Sequence, residues 1–296
     1  VVVTYNRKQL LKTCIERLME SSYLCDILLV DNGSSDGTKE LITSSFPNVI
    51  YHNTGANLGG AGGFRVGMEL AVLKGYPYIW IMDDDTFVNP DTLEKLMKAD
   101  EALKGNYGFL SSAAYWTDGT LCNMNIQKTG INSKVSDFES PYSPVIMATF
   151  VSFFIKSSTV REAGLPIKEF FIWSDDLEYS RRISMKQPCY FVPGSCVEHH
   201  MGSNAKVGIE SESDDRLWRY EYLYRNEVYV YRREGIKGYM YLFARVFLHT
   251  ARIIMKAKGK GKKLKVVWKS FTGGFRFHPP VEFVSDFVSD KEVKNA

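Results

Sequence analysis

What this chain of 296 residues lacks narrows its class before any motif is read. Its five cysteines, Cys14, Cys25, Cys122, Cys189 and Cys196, form no CxxC pair and are odd in number. That argues against a disulfide framework or a zinc site and for free thiols in a reducing compartment. No apolar run approaches the roughly 20 residues that a membrane-spanning helix needs. There is no secretory signal pattern, because the chain opens on VVVTYNR, already strand-like; with no initiator methionine, a few native residues are expected ahead of Val1. Neither an internal repeat nor a low-complexity stretch is present. The net charge of +3 is too small to imply a nucleic-acid partner. Neither the GxGxxG dinucleotide fingerprint nor a Walker P-loop occurs, so classical dinucleotide and NTPase readings lose ground.

What is there is organised around residues 78–88, YIWIMDDDTFV, an apolar run that ends in Asp83, Asp84 and Asp85. Aromatic and branched side chains in so short a run predict a buried strand of a parallel sheet. Adjacent carboxylates at its end repel: two unit charges about 4 Å apart cost roughly 4 kcal/mol at an effective dielectric near 20. Mg²⁺ or Mn²⁺ removes that cost and takes oxygen ligands of this kind. Strand ends are also where open α/β sheets bind ligands. A solvated acidic turn is the plain alternative.

Along the chain, residues 1–4, 26–30 and 48–52 read as strands, with helices over 8–20 and 38–44 between them. The segment 57–64, NLGGAGGF, reads as a glycine-rich turn leading into a helix to about residue 74, and a helix near 90–103 takes Pro90 in its first turn. Strands alternating with helices predict right-handed βαβ units on a mostly parallel sheet. Further on, 107–113 and 144–155 look like strands around a polar stretch at 117–141. A helix opens at Asp175, and a short strand follows at 189–192. Residues 220–233 and 239–256 read as helices with aromatic and basic residues interleaved, and 256–269 carries seven lysines and no acid. The expected division is a catalytic domain over 1–202 and a helical, basic region over 203–296.

Four constellations carry chemistry. The first two strand ends present Thr4, Asn6, Arg7 and Asp31. A carboxylate there commonly accepts from a base or ribose, and an arginine suits a diphosphate, although Asn6 and Asp31 are also good turn residues. Asn57, Gly59, Gly60, Gly62 and Gly63 would let a backbone approach an anion at a helix N-terminus, but tight packing calls for glycines too. Trp173, Ser174, Asp175, Asp176 and Glu178 open a helix, where acids stabilise the first turn and Ser174 or Asp175 suits the N-cap. Two carboxylates behind Trp173 exceed what a cap requires, and one is a candidate general base. Glu178 has Arg181 and Arg182 at i+3 and i+4 for an ordinary ion pair. Finally, His199 or His200 offers an imidazole to a metal site; neighbours on an extended chain face opposite ways, so one of the two is expected there.

In this order VVVTYNR, VDNGSSDGT, NLGGAGGF, the Asp triplet, FFIWSDDLEYSRR and PGSCVEHH resemble glycosyltransferase family 2 over about residues 1–202. The pattern looks most like the galactofuranosyltransferase branch, with rhamnosyltransferases close behind. The resemblance implies a GT-A fold, that is, α/β with a mostly parallel sheet flanked by helices and here a C-terminal helical region, and an inverting enzyme. It implies Mn²⁺ or Mg²⁺ on Asp83, Asp85 and His199, with His200 the less favoured register. Thr4, Asn6, Arg7 and Asp31 would line the nucleotide site, with Asn57, Gly59, Gly60, Gly62 and Gly63 along the donor and Trp173 beside it. Asp84 would approach the donor sugar, Asp176 would be the base, and Asp175 and Glu178 would position acceptor or donor. The implied donor is UDP-galactofuranose and the acceptor a hydroxyl of a lipid-linked glycan or polysaccharide in bacterial surface glycan synthesis.

One departure is that Phe150, Val151 and Ser152 stand where the polymerising galactofuranosyltransferases carry tryptophans facing the acceptor. Three other readings remain: a rhamnosyltransferase using dTDP-rhamnose, a nucleotidyltransferase, and a noncatalytic sugar-nucleotide or glycan-binding module. A nucleotidyltransferase lacks support because no lysine-rich GxGxR-type loop follows the first strand, and a binding module would not need Asp176. The basic C-terminal segment is expected either to lie on an anionic membrane surface or to pack on the catalytic domain with a solvated tail. The expected location is the cytoplasm, including the inner face of the cell membrane.

Overall fold

The computed structural model describes residues 1–205 and 208–284; residues 206–207 and 285–296, all within the expected C-terminal region, lie outside the described residues. Alternation along the strands decides how the first half folds, since successive side chains point to opposite faces. The strands are β1 (Val2–Thr4), β2 (Leu28–Asp31), β3 (Ile50–Asn53) and β4 (Tyr78–Asp83). Val2, Leu29, Trp80 and Met82 fall on one face, where α1 (Lys8–Met19) lays Leu11, Ile15 and Leu18 against them. Val3, Val30, Ile79 and Ile81 fall on the other, under Phe64, Met68 and Val72 of α3 (Gly59–Leu73). Each fully buried aliphatic side chain contributes about 1.5–3 kcal/mol. The short α2 (Thr38–Ser45) links β2 to β3.

The order β3-β2-β1-β4 is parallel throughout, as the βαβ pattern implies. The chain adds β2 and β3 on one side of β1 and β4 on the other. The gap between the ends of β1 and β4 is therefore the topological switch point, where such sheets form a ligand crevice.

Beyond β4 the sheet is mixed. β8 (Phe153–Lys156) runs antiparallel to β4 and to β6 (Phe109–Tyr115), and β9 (Tyr190–His199) runs parallel to β6. β5 (Thr86–Val88) and β7 (Ser143–Pro144) are antiparallel to β9. The single strand expected over 144–155 is thus two short ones with an irregular passage between them. β9 extends well past the expected 189–192: Val192 pairs with Ser112 and Cys196 with Ala113, so Pro193, Gly194 and Ser195 bulge out of the ladder. A proline without an N–H is tolerated at such a bulge. α4 (Thr92–Leu103) begins after Asp91 as N-cap, leaving Pro90 just ahead of the helix.

The helices α5 (Ser157–Ala163) and α6 (Asp175–Ser184) complete the layer over the sheet. They are followed by α7 (Leu217–Tyr231), α8 (Gly235–Lys256) and α9 (Lys260–Gly274). These three share a core in which Tyr224, Val228, Leu242, Val246 and Phe271 pack with Ala61, Met147, Ile167 and Phe170 from the first 202 residues. The lysine-rich segment forms α9, whose inner face packs on this core while most of its lysines stay exposed. Lys263 is buried and donates to the carbonyls of Glu210 and Glu212 at 3.0 and 2.8 Å.

Candidate active site

β4 delivers Asp83 as its last residue, and the chain turns through Asp84 and Asp85 into β5. β5 pairs with β9 so that Thr86 lies opposite His199, and this register carries the imidazole onto Asp85, with Nε2 and Oδ1 3.1 Å apart. Nδ1 of the same ring meets Asn125 Oδ1 at 3.0 Å. His200 donates its backbone N–H to the Asp85 carbonyl at 2.8 Å. Its ring turns instead to Glu198, 3.1 Å away, and lies against Phe87.

That backbone bond fixes which of the two rings faces the carboxylates. Donor atoms from Asp83, Asp85 and His199 all lie within 4.8 Å of one another. From β1 and the turn after it, Thr4 donates to Asp84 Oδ2 at 2.7 Å, while Arg7 donates to Asp85 Oδ2 at 2.6 Å and Asp84 Oδ1 at 3.3 Å.

Burial, then the charge of Asp85, pushes Asp83 up to about 7. Burial pushes Asp84 up to about 6 against the pull of Arg7 and Thr4. Burial would raise Asp85 as well, but His199 and Arg7 outweigh it and hold that carboxyl below its usual range. Burial also opposes charge on His199, yet its bond to Asp85 prevails and raises the imidazole to about 9. Two carboxylates and one imidazole form a donor set suited to Mn²⁺ or Mg²⁺. Asn125 anchors Nδ1, which leaves Nε2 facing the carboxylates.

The second acidic group arrives on strained backbone. Phe171, Trp173 and Ser174 have φ of 60, 64 and 66°, and such conformations cost about 1–3 kcal/mol each for residues with a side chain. Asn226 of α7, fully buried, holds them by donating Nδ2 to the carbonyls of Phe170, Ile172 and Trp173 at 2.9, 3.2 and 2.9 Å. The Phe171 carbonyl presses on the start of α3. A Cβ on Gly59, at φ +71, would lie 2.1 Å from that oxygen, so only glycine fits there.

Ser174 is the N-cap of α6 but makes no side-chain capping bond. Asp176 Oδ1 accepts from the Leu177 N–H at 2.7 Å. Burial pushes Asp176 up to about 6, opposed in part by the Lys128 ammonium. Burial, then the Asp176 charge, raises Asp175 well above the carboxylate range, and Asp83 adds to the effect. The start of α6 and the end of β4 therefore share one electrostatic environment.

Not every residue expected at the site offers it an atom. Glu178 is buried between Arg182 and Arg233, each at 2.8 Å, while Arg181 pairs with Glu234 instead; Glu178 thus ties α6 to the turn after α7. Asp31 is fully buried and accepts from Ser34 N–H at 2.8 Å, Tyr51 Oη at 2.6 Å and Asn53 Nδ2 at 3.2 Å. It shapes its loop and presents no exposed oxygen to a nucleotide. Asn6 links two loops by accepting from Ser35 N–H at 2.8 Å, and Thr4 is occupied in holding Asp84. Asn57 accepts from the Gly59 N–H at 2.9 Å.

The glycine-rich segment forms the first turns of α3, where a Cβ on Gly62 or Gly63 would meet Leu58 or Val3 at 2.5 Å. Those two glycines serve packing, whereas Gly60 stays partly exposed. Trp173 packs edge-on against Tyr220, with ring centroids 5.2 Å apart. Phe150, Val151 and Ser152 are buried in the core, with Ser152 Oγ bonded to Trp80 Nε1 at 2.8 Å. The residues that motif reading missed are Asn125, Lys128 and Asn226. The first two lie in the polar stretch at 117–141, and the third is one asparagine in an aromatic helix.

The sheet, parallel first and mixed beyond with an acidic cluster at its switch point, has the GT-A arrangement. Residues 1–121 match the family model for glycosyl transferase family 2. The chain is similar to galactofuranosyltransferase GlfT1 of Mycolicibacterium smegmatis, at 24% identity over 265 residues, covering 80% of this chain and 83% of that protein. The Mycobacterium tuberculosis GlfT1 is 26% identical over 256 residues with the same coverage. Among solved structures, S. aureus TarS 1-349 in complex with UDP matches with a TM-score of 0.53 at 12% identity, over 94% of this chain and 71% of that one.

Replacing Asn226 with alanine strips the donor from buried carbonyls, each worth about 1–3 kcal/mol. Asn226→Ala is expected to lower stability by about 2–4 kcal/mol in urea unfolding. Unchanged stability would show that the strained segment holds itself.

Proposed function

We propose that the protein is an inverting, divalent-cation-dependent transferase. In this reading it moves galactofuranose from UDP-galactofuranose to a hydroxyl of a lipid-linked glycan or polysaccharide in bacterial surface glycan synthesis. The observation that carries the reading is the donor set of Asp83, Asp85 and His199, whose ligand atoms lie within 4.8 Å of one another at the switch point of the sheet. The relatives named galactofuranosyltransferase GlfT1 support the choice of sugar.

Asp83, Asp85 and His199 would hold the cation, which when bound offsets charge growing on the leaving diphosphate. Arg7, half exposed above Asp84 and Asp85, is a permanent cation that orients the same diphosphate. Asp84, pinned by Thr4, keeps its place beside the donor sugar. Asp176 keeps one oxygen on the Leu177 N–H and takes the acceptor proton with the other. Asp175, next to it and buried, positions the reacting groups. Lys128 stabilises the ionised form of Asp176.

Transfer or donor hydrolysis measured with UDP-galactofuranose, UDP-galactopyranose, UDP-glucose and dTDP-rhamnose, with and without Mn²⁺, tests the donor. A preference for UDP-galactofuranose that disappears on chelation is expected. Preference for a pyranose or rhamnose donor would overturn the sugar and leave the enzyme class intact.

The base has a pH signature. Asp176 is protonated below about 6 and then cannot accept the hydroxyl proton, so kcat is expected to fall as pH drops through that value. Asp176→Asn should lower kcat by about 10²–10⁴ while donor affinity is kept. Undiminished turnover in that variant would give the role to another group.

For the cation, Mn²⁺ titration followed by calorimetry separates the two histidines. His199→Gln is expected to weaken binding by at least about tenfold, and His200→Gln to leave it within about twofold. The reverse pattern would move the ligand to His200.

A further inference from the structure

Residues 235–276 contain eleven lysines and arginines and no aspartate or glutamate. The structure sorts these charges by face. Those turned inward have partners: Arg245 pairs with Glu227 at 2.8 Å, and Lys263 takes the carbonyls of Glu210 and Glu212. Lys258, Lys260, Lys262, Lys265 and Lys269 are exposed on α9 and the turn before it. Of these, Lys262 meets Asp214 at 2.6 Å.

α8 buries Leu242, Val246 and Ile253 against its neighbours, and its opposite face is apolar and exposed, with the rings of Phe243 and Phe247 meeting Phe271 and Trp268 of α9 along one edge. Ile236 is 75% exposed, Met240 66%, Phe247 59% and Met255 69%, with Phe243 and Ile254 between them at 43% and 53%. Their spacing of three, four and seven residues places them along one side of the helix. Ala244 and Ala251, also exposed, fill the gaps, and exposed lysines on α8 stand only near its ends, at Lys237 and Lys256. At 22 residues this apolar stripe is about 33 Å long. Exposed apolar patches of such extent mark interaction sites.

We propose that this face of α8 lies in an anionic membrane surface, with the exposed lysines around α9 resting on the headgroups. No helix among the described residues is long and apolar enough to cross a membrane. An amphipathic helix with an apolar stripe and basic surroundings lies in the interface instead. Charge complementarity selects the occupant. Anionic lipids answer a long basic segment that has no acid of its own. A second copy of the chain, laid face to face, would bring lysines together with nothing in the segment to pair them. The inference stands apart from the identity of the donor sugar.

Flotation of the full chain with phosphatidylcholine vesicles, with and without phosphatidylglycerol, tests it. The expected result is binding to the anionic vesicles that weakens with salt, and little binding to neutral ones. Phe243→Glu with Phe247→Glu should reduce affinity more than tenfold while donor hydrolysis and circular dichroism are retained. If that pair fails to fold, Met240→Gln with Phe247→Gln serves, with a reduction of at least threefold expected. Equal binding of wild type and variant, no binding by wild type, or equal binding to neutral vesicles would overturn the proposal. So would sedimentation velocity showing a dimer that the substitutions dissociate, with no vesicle binding, since the face would then join two copies.

Discussion

The repulsion among three adjacent carboxylates, two buried and one partly exposed, is the constraint that the rest of the site answers. The turn from β4 into β5 leaves Asp83, Asp84 and Asp85 no room to separate, and burial denies water to Asp84 and Asp85 and much of it to Asp83. Compensation comes from distant parts of the chain: Thr4 and Arg7 from the end of β1, His199 from the end of β9. Sheet order brings β1 beside β4, and the β5–β9 register brings His199 over Asp85. Even so, Asp83 and Asp84 remain above the usual carboxylate range. A solvated acidic turn would carry no such strain, because water would screen it. The excess of negative potential is what makes the donor set of Asp83, Asp85 and His199 suitable for a divalent cation.

A second dependence runs through α7. The segment before α6 holds three residues with side chains at positive φ, and it adopts that shape against the supports of Asn226 and of the α3 start. The ion pairs Glu178–Arg233 and Arg181–Glu234, their carboxylates largely shielded from water, then clamp α6 to the turn after α7. Such pairs are weak evidence for stability, but breaking one leaves a charge without a partner. Their effect here is to fix the angle at which α6 presents Asp175 and Asp176. A helix that sequence composition assigns to a separate basic region thus holds the segment that carries Asp175 and Asp176.

What could be read from the sequence follows from how local each signal is. β1, β2, β4 and the first helices show in the pattern because alternation and turn chemistry are local. β9 does not, because Pro193 and Gly194 look like a stop, whereas a bulge lets the ladder resume at Cys196. Asp83, Asp85 and His199 are recognisable as a set only through their resemblance to a family, since register is not written in spacing. The pairing of Glu178 with Arg182 follows the i+4 rule, whereas its other partner, Arg233, lies 55 residues away and is invisible to a helix-neighbour rule. Gly62 and Gly63 suit an anion or a close-packed strand equally well in sequence, and only the positions of Leu58 and Val3 decide between them. Asn125 and Asn226 carry no motif at all; their value lies in what a buried amide can reach.

The placement of α7 also bears on how a lipid-linked acceptor would meet the base. Such a substrate has its sugar in water and its lipid in the bilayer, so the reacting carboxylate must lie close to the membrane plane. α8 packs on α7, and α7 supports the segment that leads into Asp176. Packed helix axes are separated by about 8–10 Å. If the outer face of α8 lies in the headgroup region, as proposed, one helix layer stands between that surface and the segment that leads into Asp176. The inward arginine and lysine of α8 and α9 are already paired, so the outward lysines carry the attraction without drawing on the charges that hold the layer together.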